Sequence, residues 1–274
     1  MSSEGIQHVS NMFRVTSNNA SLAVRIDGET NLPWLVLSNS LATDHSLWDP
    51  QMAALTRIRC VVRYDTRGHG SSSPPPGAYD FAMLCGDVIS IMDHLDIASA
   101  DILGLSLGGM TALGLGLDHA ERTRRIICAC ARADFPAAMV SAWDDRIGAV
   151  NASGMAAVAD GTLERWFTAD ARQRKPEIID HARRMIMETS VNGYCGCAAA
   201  LKGLNYQVRL PQLAKKVLYV AGQADTAASP DAMRAMAAAT PGSELEIIPG
   251  AAHIANLENA EQFNTVICDF LNAQ

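Results

Sequence analysis

Residues Ile102–Met110, with the sequence Ile-Leu-Gly-Leu-Ser-Leu-Gly-Gly-Met, decide the fold. An apolar run typical of a strand leads into small residues and then into a helical pattern, with Ser106 at the apex between Gly104 and Gly108. This is the G-x-S-x-G pattern of a nucleophile elbow, in which strand and helix lie so close that side chains at the glycine positions would block the turn. A glycine-rich turn with an incidental serine matches the same short pattern. The strand–turn–helix context favours a serine nucleophile.

Length and composition indicate one globular core with one insertion. The chain has 274 residues, of which 49% are apolar, and this supplies a large aliphatic core. The net charge is −7 and no basic run occurs, which argues against nucleic acid or an anionic membrane surface as the partner. We therefore expect a small-molecule partner. The sequence leaves open whether the chain is a monomer or a homo-oligomer.

The N-terminal residues and the cysteines predict a cytoplasmic protein. Met1–Ser10 lacks the charged-then-apolar order of a signal peptide, and no stretch approaches the roughly 18 apolar residues that span a bilayer. The seven cysteines include no C-x-x-C spacing, which predicts free thiols in a reducing compartment. Metal sites at the pairs Cys128/Cys130 and Cys195/Cys197 are the alternative. Their spacing is not that of zinc sites, and a strand would place Cys128 and Cys130 on one buried face. We expect no metal and no cofactor.

Strands and helices alternate on both sides of the elbow. The predicted strands are Leu22–Ile26, Trp34–Leu37, Cys60–Tyr64, Asp101–Leu105, Arg125–Ala129, Val217–Val220 and Glu244–Ile248. The predicted helices between them are Trp48–Arg57, Phe81–Leu95, Leu107–His119, Pro230–Ala239 and Ala260–Leu271. Continuous apolar strands alternating with helices are typical of a sheet that is buried on both faces. The fold class is therefore predicted as α/β, with a mostly parallel, doubly wound sheet.

A helical segment interrupts this alternation before the last two strands. Between about residues 134 and 210 no strand-like run occurs, and amphipathic helices are predicted at Ala137–Val150, Gly154–Phe167, Pro176–Thr189 and Cys197–Leu204. A helical insertion beyond the carboxyl ends of parallel strands is expected to cover the site. We therefore predict a core of residues 1–133 and 211–274 with a lid of residues 134–210.

Two residues beyond the lid match the partners that a serine nucleophile needs. A serine hydroxyl requires a base, and the base requires an acid that fixes its tautomer. In elbow-type enzymes the acid and then the histidine follow the serine, each in a loop after a strand. Asp225 and His253 occupy such positions, whereas Asp231 is explained as an acid in the first turn of a helix. His45 is expected near the mouth of the site but precedes the serine, and His69 belongs to a loop predicted to be structural. His8 lies in the N-terminal arm, and the remaining three histidines are expected to be solvated on polar helix faces: His94, His119 and His181.

Backbone N–H groups are predicted to stabilise the oxyanion. One donor is the N–H of Leu107, directly after the serine and at the start of its helix. The second is expected from the loop after the Trp34 strand. We assign it to Leu41, with Ser40 as the alternative and as a substrate contact.

Four segments resemble the α/β-hydrolase superfamily and, within it, the 3-oxoadipate enol-lactonases of the β-ketoadipate pathway. They are Leu37–Asp44, Arg63–Ser71, Leu103–Gly109 and Gly154–Thr168. The resemblance covers nearly the whole chain and implies an α/β-hydrolase fold and lactone hydrolysis in aromatic catabolism. It assigns the catalytic serine, aspartate and histidine to Ser106, Asp225 and His253, and a lid tryptophan that contacts substrate to Trp143.

The chain departs from the pattern of this family in two places. It has Cys130–Phe135 where the family pattern would have Asn-Thr-Ala-Ala, and its segment before Trp143 is longer than in the family. This region is expected to line the pocket, so the departures bear on the substrate. A substrate with a free carboxylate needs a cation, and Arg132 and Arg146 are predicted to supply it, with Arg165 as a further candidate. Trp143 and Trp166 can each form a wall of the pocket or pack the lid on the core; we favour the pocket for Trp143 and packing for Trp166.

Other functions use the same residues. A carboxylesterase, another lactonase or a C–C bond hydrolase shares the scaffold, because function resides in the pocket rather than in the fold. A cofactor-free perhydrolase or haloperoxidase and a non-catalytic binding protein are more remote alternatives. Turnover of an enol-lactone against simple aryl esters separates the first group, and a requirement for peroxide identifies the perhydrolase.

Overall fold

The computed structural model describes residues 12–273. The prediction of a cytoplasmic location used Met1–Ser10, and this segment, which includes His8, lies outside the described residues. The strands are β1 (Phe13–Ser17), β2 (Ala20–Asp27), β3 (Trp34–Ser38), β4 (Cys60–Tyr64), β5 (Ala100–Leu105), β6 (Thr123–Ala129), β7 (Lys216–Gly222) and β8 (Glu244–Ile248).

These strands form one sheet in the order β1-β2-β4-β3-β5-β6-β7-β8. The six strands β3 to β8 run parallel to one another, and β5 lies between β3 and β6. At one edge of the sheet, β2 pairs antiparallel with β4, and β1 pairs antiparallel with β2. Every residue of β4 and β5 is buried, as expected for strands that are covered on both faces. The predicted α/β class with a mostly parallel sheet is confirmed.

Six α-helices accompany the sheet in the part of the chain that the structure describes. They are α1 (Asp49–Leu55), α2 (Phe81–His94), α3 (Leu107–Asp118), α9 (Pro230–Ala239), α10 (Ala255–Glu258) and α11 (Ala260–Asn272), together with a 3₁₀ turn at His45–Trp48 that precedes α1. Within this set α2 packs on α3, and α1 packs on α11. Asp80 caps α2, because its side chain accepts the N–H of Met83 at 2.7 Å.

Five further helices lie between β6 and β7: α4 (Ala137–Ser153), α5 (Ala156–Trp166), α6 (Ala169–Arg174), α7 (Pro176–Glu188) and α8 (Val191–Lys202). We call these five helices the insertion. Its position before the last two strands agrees with the prediction, whereas the exact domain boundaries at residues 134 and 210 stay a prediction.

The predicted start of α8 at Cys197 was wrong by six residues. The helix begins at Val191 because the hydroxyl of Ser190 accepts the N–H of Gly193 at 2.9 Å and caps it. Gly193 is needed for close packing, since a Cβ there would lie 2.2 Å from the carbonyl oxygen of Gly68. Glycine in this helix therefore permits a contact and does not end the helix.

No helix within residues 12–273 is long and apolar enough to cross a membrane. All seven cysteines are free thiols in this structure. Cys128 lies in β6, which ends at Ala129 as predicted, and Cys130 follows the strand at a φ of 46°. Both are buried, and burial raises the pKa of each thiol well above its ordinary value.

Candidate active site

Ser106 lies between the end of β5 and the start of α3 in a strained conformation. Its φ of 55° and ψ of −114° are unusual for a residue with a side chain. The two neighbouring glycines are required, because a Cβ at Gly104 would lie 2.0 Å from the carbonyl oxygen of Gly108, and a Cβ at Gly108 would lie 2.0 Å from that of Ser38. The N–H of Ser106 donates to the carbonyl of Ala129 at 2.8 Å. This turn presents the serine hydroxyl beyond the carboxyl edge of the sheet.

The structure brings Ser106, His253 and Asp225 into one hydrogen-bonded series. The Oγ of Ser106 lies 2.9 Å from Nε2 of His253, and Nδ1 of His253 lies 2.8 Å from Oδ2 of Asp225. With a carboxylate at Nδ1, this nitrogen carries the proton and donates it. Nε2 is then the acceptor that faces the serine, which is the tautomer of a general base.

Asp225 is buried and held in the ionised form. Burial opposes its charge, but the charge of His253, the hydrogen bond to it and two backbone N–H groups lower the pKa of Asp225 below its usual value. Its Oδ1 accepts from the N–H of Ala227 at 2.8 Å and of Ala228 at 3.0 Å. The other oxygen is thereby directed at the imidazole.

The competing acid and histidine lie elsewhere. Asp231 is exposed in the first turn of α9 and pairs with Arg234 at 2.7 Å. His45 does not line the cavity described below; its Nδ1 lies 2.8 Å from Oδ1 of Asp65. The hydrogen bond to Asp65 raises the pKa of His45, and although burial opposes the charge of Asp65, its bonds to His45 lower the pKa of that carboxyl.

A possible metal-ligating group is confined to Asp44, His45 and Asp65 among residues 12–273. Protein donors already fill it: Asp44 accepts the N–H of Ser46 at 2.8 Å, and Asp65 accepts the N–H groups of His45 and Ser71, both at 2.8 Å. These bonds tie two loops together, which is a structural role.

The loop that follows β3 is anchored by one asparagine. Nδ2 of Asn39 donates to the carbonyl of Tyr64 at 2.6 Å, and its Oδ1 accepts the indole N–H of Trp48 at 2.9 Å. Both bonds are buried. They fix the backbone that continues into Ser40 and Leu41.

Ser40 and Leu41 line the same cavity as Ser106. Neither the N–H of Leu41 nor that of Leu107 donates to an acceptor within residues 12–273. Donors beside the serine that lack a protein acceptor are available to an oxygen of a bound substrate.

A cavity of about 180 Å³ lies between the edge of the sheet and the insertion, and both Ser106 and His253 open into it. One face of each of three inserted helices forms its wall. From the insertion the lining residues are Met139, Ala142, Trp143, Arg146, Thr162, Arg165, Trp166, Tyr194 and Leu201.

The residues predicted to contact a substrate line the cavity, but they differ in the partners that they already have. Arg132 lines the cavity, but its Nε donates to the backbone oxygen of Asp134 at 3.0 Å, and its guanidinium lies 3.6 Å from the carboxylate. Arg146 lies over the ring of Trp143, 4.5 Å from its centre, and both face the cavity as predicted. Trp166 is buried and also borders the cavity, so it combines the favoured packing role with the alternative of a pocket wall.

Sequence reasoning missed Thr162 and Tyr194 as lining residues. The signal for Thr162 was present, because Thr162, Arg165 and Trp166 are spaced for one helical face. Tyr194 was missed because the first turns of α8 were read as a loop. A correct helix start would have placed Tyr194 and Leu201 on one face of α8, as their spacing indicates.

Glu258 connects the loop that carries His253 to the insertion. Its buried carboxylate accepts the N–H of Ala252 at 2.7 Å, and at the other oxygen it accepts the N–H of Thr168 at 2.9 Å and the hydroxyl of Thr168 at 2.5 Å. The N–H of Ile254 donates to the carbonyl of Trp166 at 3.1 Å. Both sides of the histidine are thus fixed to the end of α5.

Comparisons with known proteins identify close relatives. The 3-oxoadipate enol-lactonase 2 of Acinetobacter baylyi is 33% identical over 253 residues, which cover 92% of this chain and 94% of that protein. The crystal structure of the enol-lactonase from Burkholderia xenovorans LB400 has a TM-score of 0.91 and 39% identity, covering 95% of this chain and 100% of that one. A hydrolase from Pseudomonas aeruginosa PA01 has a TM-score of 0.92 and 37% identity, with 96% and 99% covered.

The resemblance to 3-oxoadipate enol-lactonases is therefore confirmed at the level of similarity. The family model of the alpha/beta hydrolase fold matches residues 33–260, which is most of the chain. The chain belongs to the α/β-hydrolase fold family.

Proposed function

We propose that this protein is a serine hydrolase that cleaves a small lactone or ester through an acyl-enzyme, with 3-oxoadipate enol-lactone as its substrate. The observation that carries the proposal is the series Ser106, His253 and Asp225, joined at 2.9 Å and 2.8 Å and open to a cavity. The names of the similar enol-lactonases support the choice of substrate.

In the acylation step the hydroxyl of Ser106 attacks the lactone carbonyl. Nε2 of His253 accepts the proton, and the carboxylate of Asp225 stabilises the imidazolium that forms. The N–H groups of Leu41 and Leu107 donate to the developing oxyanion; Ser40 stays the alternative to Leu41. Loss of one such donor in related sites lowers the rate by about 10²–10³-fold.

The ring C–O bond then breaks, and His253 returns its proton to the leaving enol oxygen. The enol tautomerises to the ketone, which draws the reaction forward. The leaving group stays tethered to the acyl chain because the substrate is a lactone. Water, deprotonated by His253, attacks the acyl-enzyme and releases the free acid and Ser106.

The size and location of the cavity agree with a small substrate. Its volume of about 180 Å³ suits a single ring with a short side chain better than a long acyl chain. A 3-oxoadipate enol-lactonase acts in the catabolism of aromatic compounds through the β-ketoadipate pathway. We place this protein there, and expect it in the cytoplasm.

The test is hydrolysis of the enol-lactone by the wild type and by Ser106→Ala. Ser71→Ala is the matched control, since Ser71 is exposed and lies in a surface loop. The wild type and the control should hydrolyse the lactone, and Ser106→Ala should retain about 10⁻³ of the activity or less. Full activity in Ser106→Ala refutes the mechanism.

A substrate panel separates the alternatives. Faster hydrolysis of simple aryl esters than of the enol-lactone identifies a carboxylesterase, and turnover of another lactone or of a C–C substrate replaces the proposed substrate. Turnover that requires peroxide identifies a perhydrolase. If an organophosphate does not label Ser106, the result favours the alternative of a non-catalytic binding protein.

A further inference from the structure

Two arginines face the cavity without an acidic partner. Arg146 on α4 and Arg165 on α5 are both half-buried, and neither pairs with a carboxylate within residues 12–273. Nearby acids have other partners, since Asp144 pairs with Lys202 and Glu164 lies 3.9 Å from Arg172. A guanidinium that loses water without gaining a carboxylate lacks compensation for its charge.

The two guanidinium groups also act on each other. Burial lowers the pKa of Arg165 below its ordinary value, and the positive charge of Arg146 lowers it further. The wall of the cavity therefore carries two like charges that repel. A bound anion removes this repulsion and supplies the missing partner to both.

The phenol of Tyr194 adds a donor at the same place. Tyr194 is 3% exposed and lines the cavity, yet its hydroxyl has no hydrogen-bond partner within the described chain. Burial raises the pKa of Tyr194 to about 12, although Arg146 and Arg165 lower it. The phenol is therefore neutral at physiological pH and able to donate.

Neighbouring groups hold both guanidinium groups in position. Arg146 stacks over Trp143 at 4.5 Å, and the NH2 group of Arg165 donates to Oγ1 of Thr162 at 3.2 Å. These contacts reduce the side-chain entropy lost on binding while leaving other N–H groups free. Arg132 differs, because Asp134 already neutralises it.

We propose that Arg146, Arg165 and the hydroxyl of Tyr194 form a carboxylate subsite that selects substrates with an anionic group remote from the carbonyl attacked by Ser106. This inference rests on the proposed acyl transfer at Ser106 but not on the identity of the lactone. It assigns the principal cations to Arg146 and Arg165, whereas the sequence indicated Arg132 and Arg146. A neutral analogue leaves the arginine pair uncompensated, so it is rejected even when it fits.

The subsite is tested with two aryl esters that differ in one group. One is the p-nitrophenyl half ester of adipic acid, which has the carbon skeleton of oxoadipate and a free carboxylate; the other is its methyl ester. The wild type should prefer the anionic ester by about 10- to 100-fold in kcat/KM, as expected for charge-assisted hydrogen bonds. Arg165→Gln and Arg146→Gln should each remove about tenfold or more of this preference in kcat/KM.

Arg183→Gln is the matched control, because Arg183 lies on the insertion but pairs with Asp160 at 2.7 Å, and its activity should stay at the wild-type level. Arg165→Lys should restore part of the preference because it retains the charge and loses the planar donor pair. Adipate should inhibit the wild type more strongly than adipamide, which provides a readout if a glutamine variant fails to fold.

A wild type that hydrolyses both esters equally, or variants that lose both activities in proportion, overturns the subsite. The outcome is distinct from failure of the proposed function. If the enol-lactone is not hydrolysed but the anionic ester is preferred through Arg146 and Arg165, the subsite stands and the substrate assignment falls. If Ser106→Ala retains full activity on the esters, the acyl-transfer site and the subsite fall together.

Discussion

Replacement of Gly108 by alanine tests the close approach on which the whole site depends. A Cβ at this position would lie 2.0 Å from the carbonyl oxygen of Ser38, whereas ordinary contacts begin near 3.4 Å. The two backbones must therefore separate by about 1.4 Å, the difference between these distances. Ser38 resists this movement because it is paired with Gly104 in the β3–β5 ladder.

The separation moves the N–H of Leu107 away from the loop that carries Leu41. With both proposed oxyanion donors misplaced, kcat should fall by about 10³-fold or more while KM changes little. The overpacking should also lower the free energy of unfolding by about 1–3 kcal/mol. Steady-state hydrolysis and urea denaturation measure the two effects on the same preparation.

Gly86→Ala is the matched control, because Gly86 also lies in a helix but a Cβ there meets no atom within 4 Å. It should raise the free energy of unfolding by about 0.5–1 kcal/mol and leave the activity unchanged. If Gly108→Ala retains more than about a third of the wild-type kcat, the oxyanion donors are not fixed by this contact.

Three other substitutions test the surroundings of the serine. Asp225→Asn should lower kcat by about 10³–10⁴-fold with little change in KM, as initial rates will show, because it removes the charge that stabilises the imidazolium. Glu258→Gln should lower the free energy of unfolding by about 1–3 kcal/mol and should also lower kcat, because one buried N–H donor loses its acceptor. An unchanged midpoint of urea denaturation contradicts this. The pKa of His45 is raised and that of Asp65 is lowered. Their ion pair therefore stabilises the fold most at a pH between the two pKa values, where both groups are charged. His45→Gln should therefore cost about 1–2 kcal/mol near pH 5.5 and less near pH 9, as the stabilisation is lost when the pH rises through the pKa of His45; an equal loss at both pH values refutes it.

The elbow was predictable because its requirements are local. Gly104 and Gly108 are dictated by the two backbones that meet at Ser106, and this constraint is visible in a few consecutive residues. Asp225 and His253 were predictable from their positions after β7 and β8, because adjacent parallel strands deliver their following loops to one edge.

The edge hairpin was only partly predictable. Leu22–Ile26 was predicted as a strand, but β2 extends over Ala20–Asp27 and β1 was not predicted. The segment Phe13–Ser17 has polar residues at its exposed positions and forms a strand by pairing with β2, and pairing between strands is not encoded in local periodicity.

The insertion was predicted as helical, but its shortest helix, α6, was not predicted. α6 has six residues, few of them apolar, and begins at a cap formed by Thr168, so it has no hydrophobic period to detect. The choice among the arginines was equally beyond the sequence. Arg132 pairs with Asp134, only two residues further along the chain. Arg165 has no acidic partner within residues 12–273 and contacts Thr162 instead, and that required the structure.

In the proposed mechanism, different layers of the fold provide the catalytic residues and the carboxylate subsite, and hydrogen bonds connect these layers. The edge of the sheet supplies Ser106, Asp225 and His253, whereas the insertion supplies Arg146 and Arg165. The end of α5 connects the insertion to the loop of His253. The carbonyl of Trp166 accepts the N–H of Ile254, the residue after His253, and Trp166 directly follows Arg165. A bound anion that draws Arg165 toward it therefore acts on the segment that fixes the imidazole. Recognition of the substrate and alignment of the base are thus expected to be coupled, so a neutral substrate should lose kcat as well as affinity.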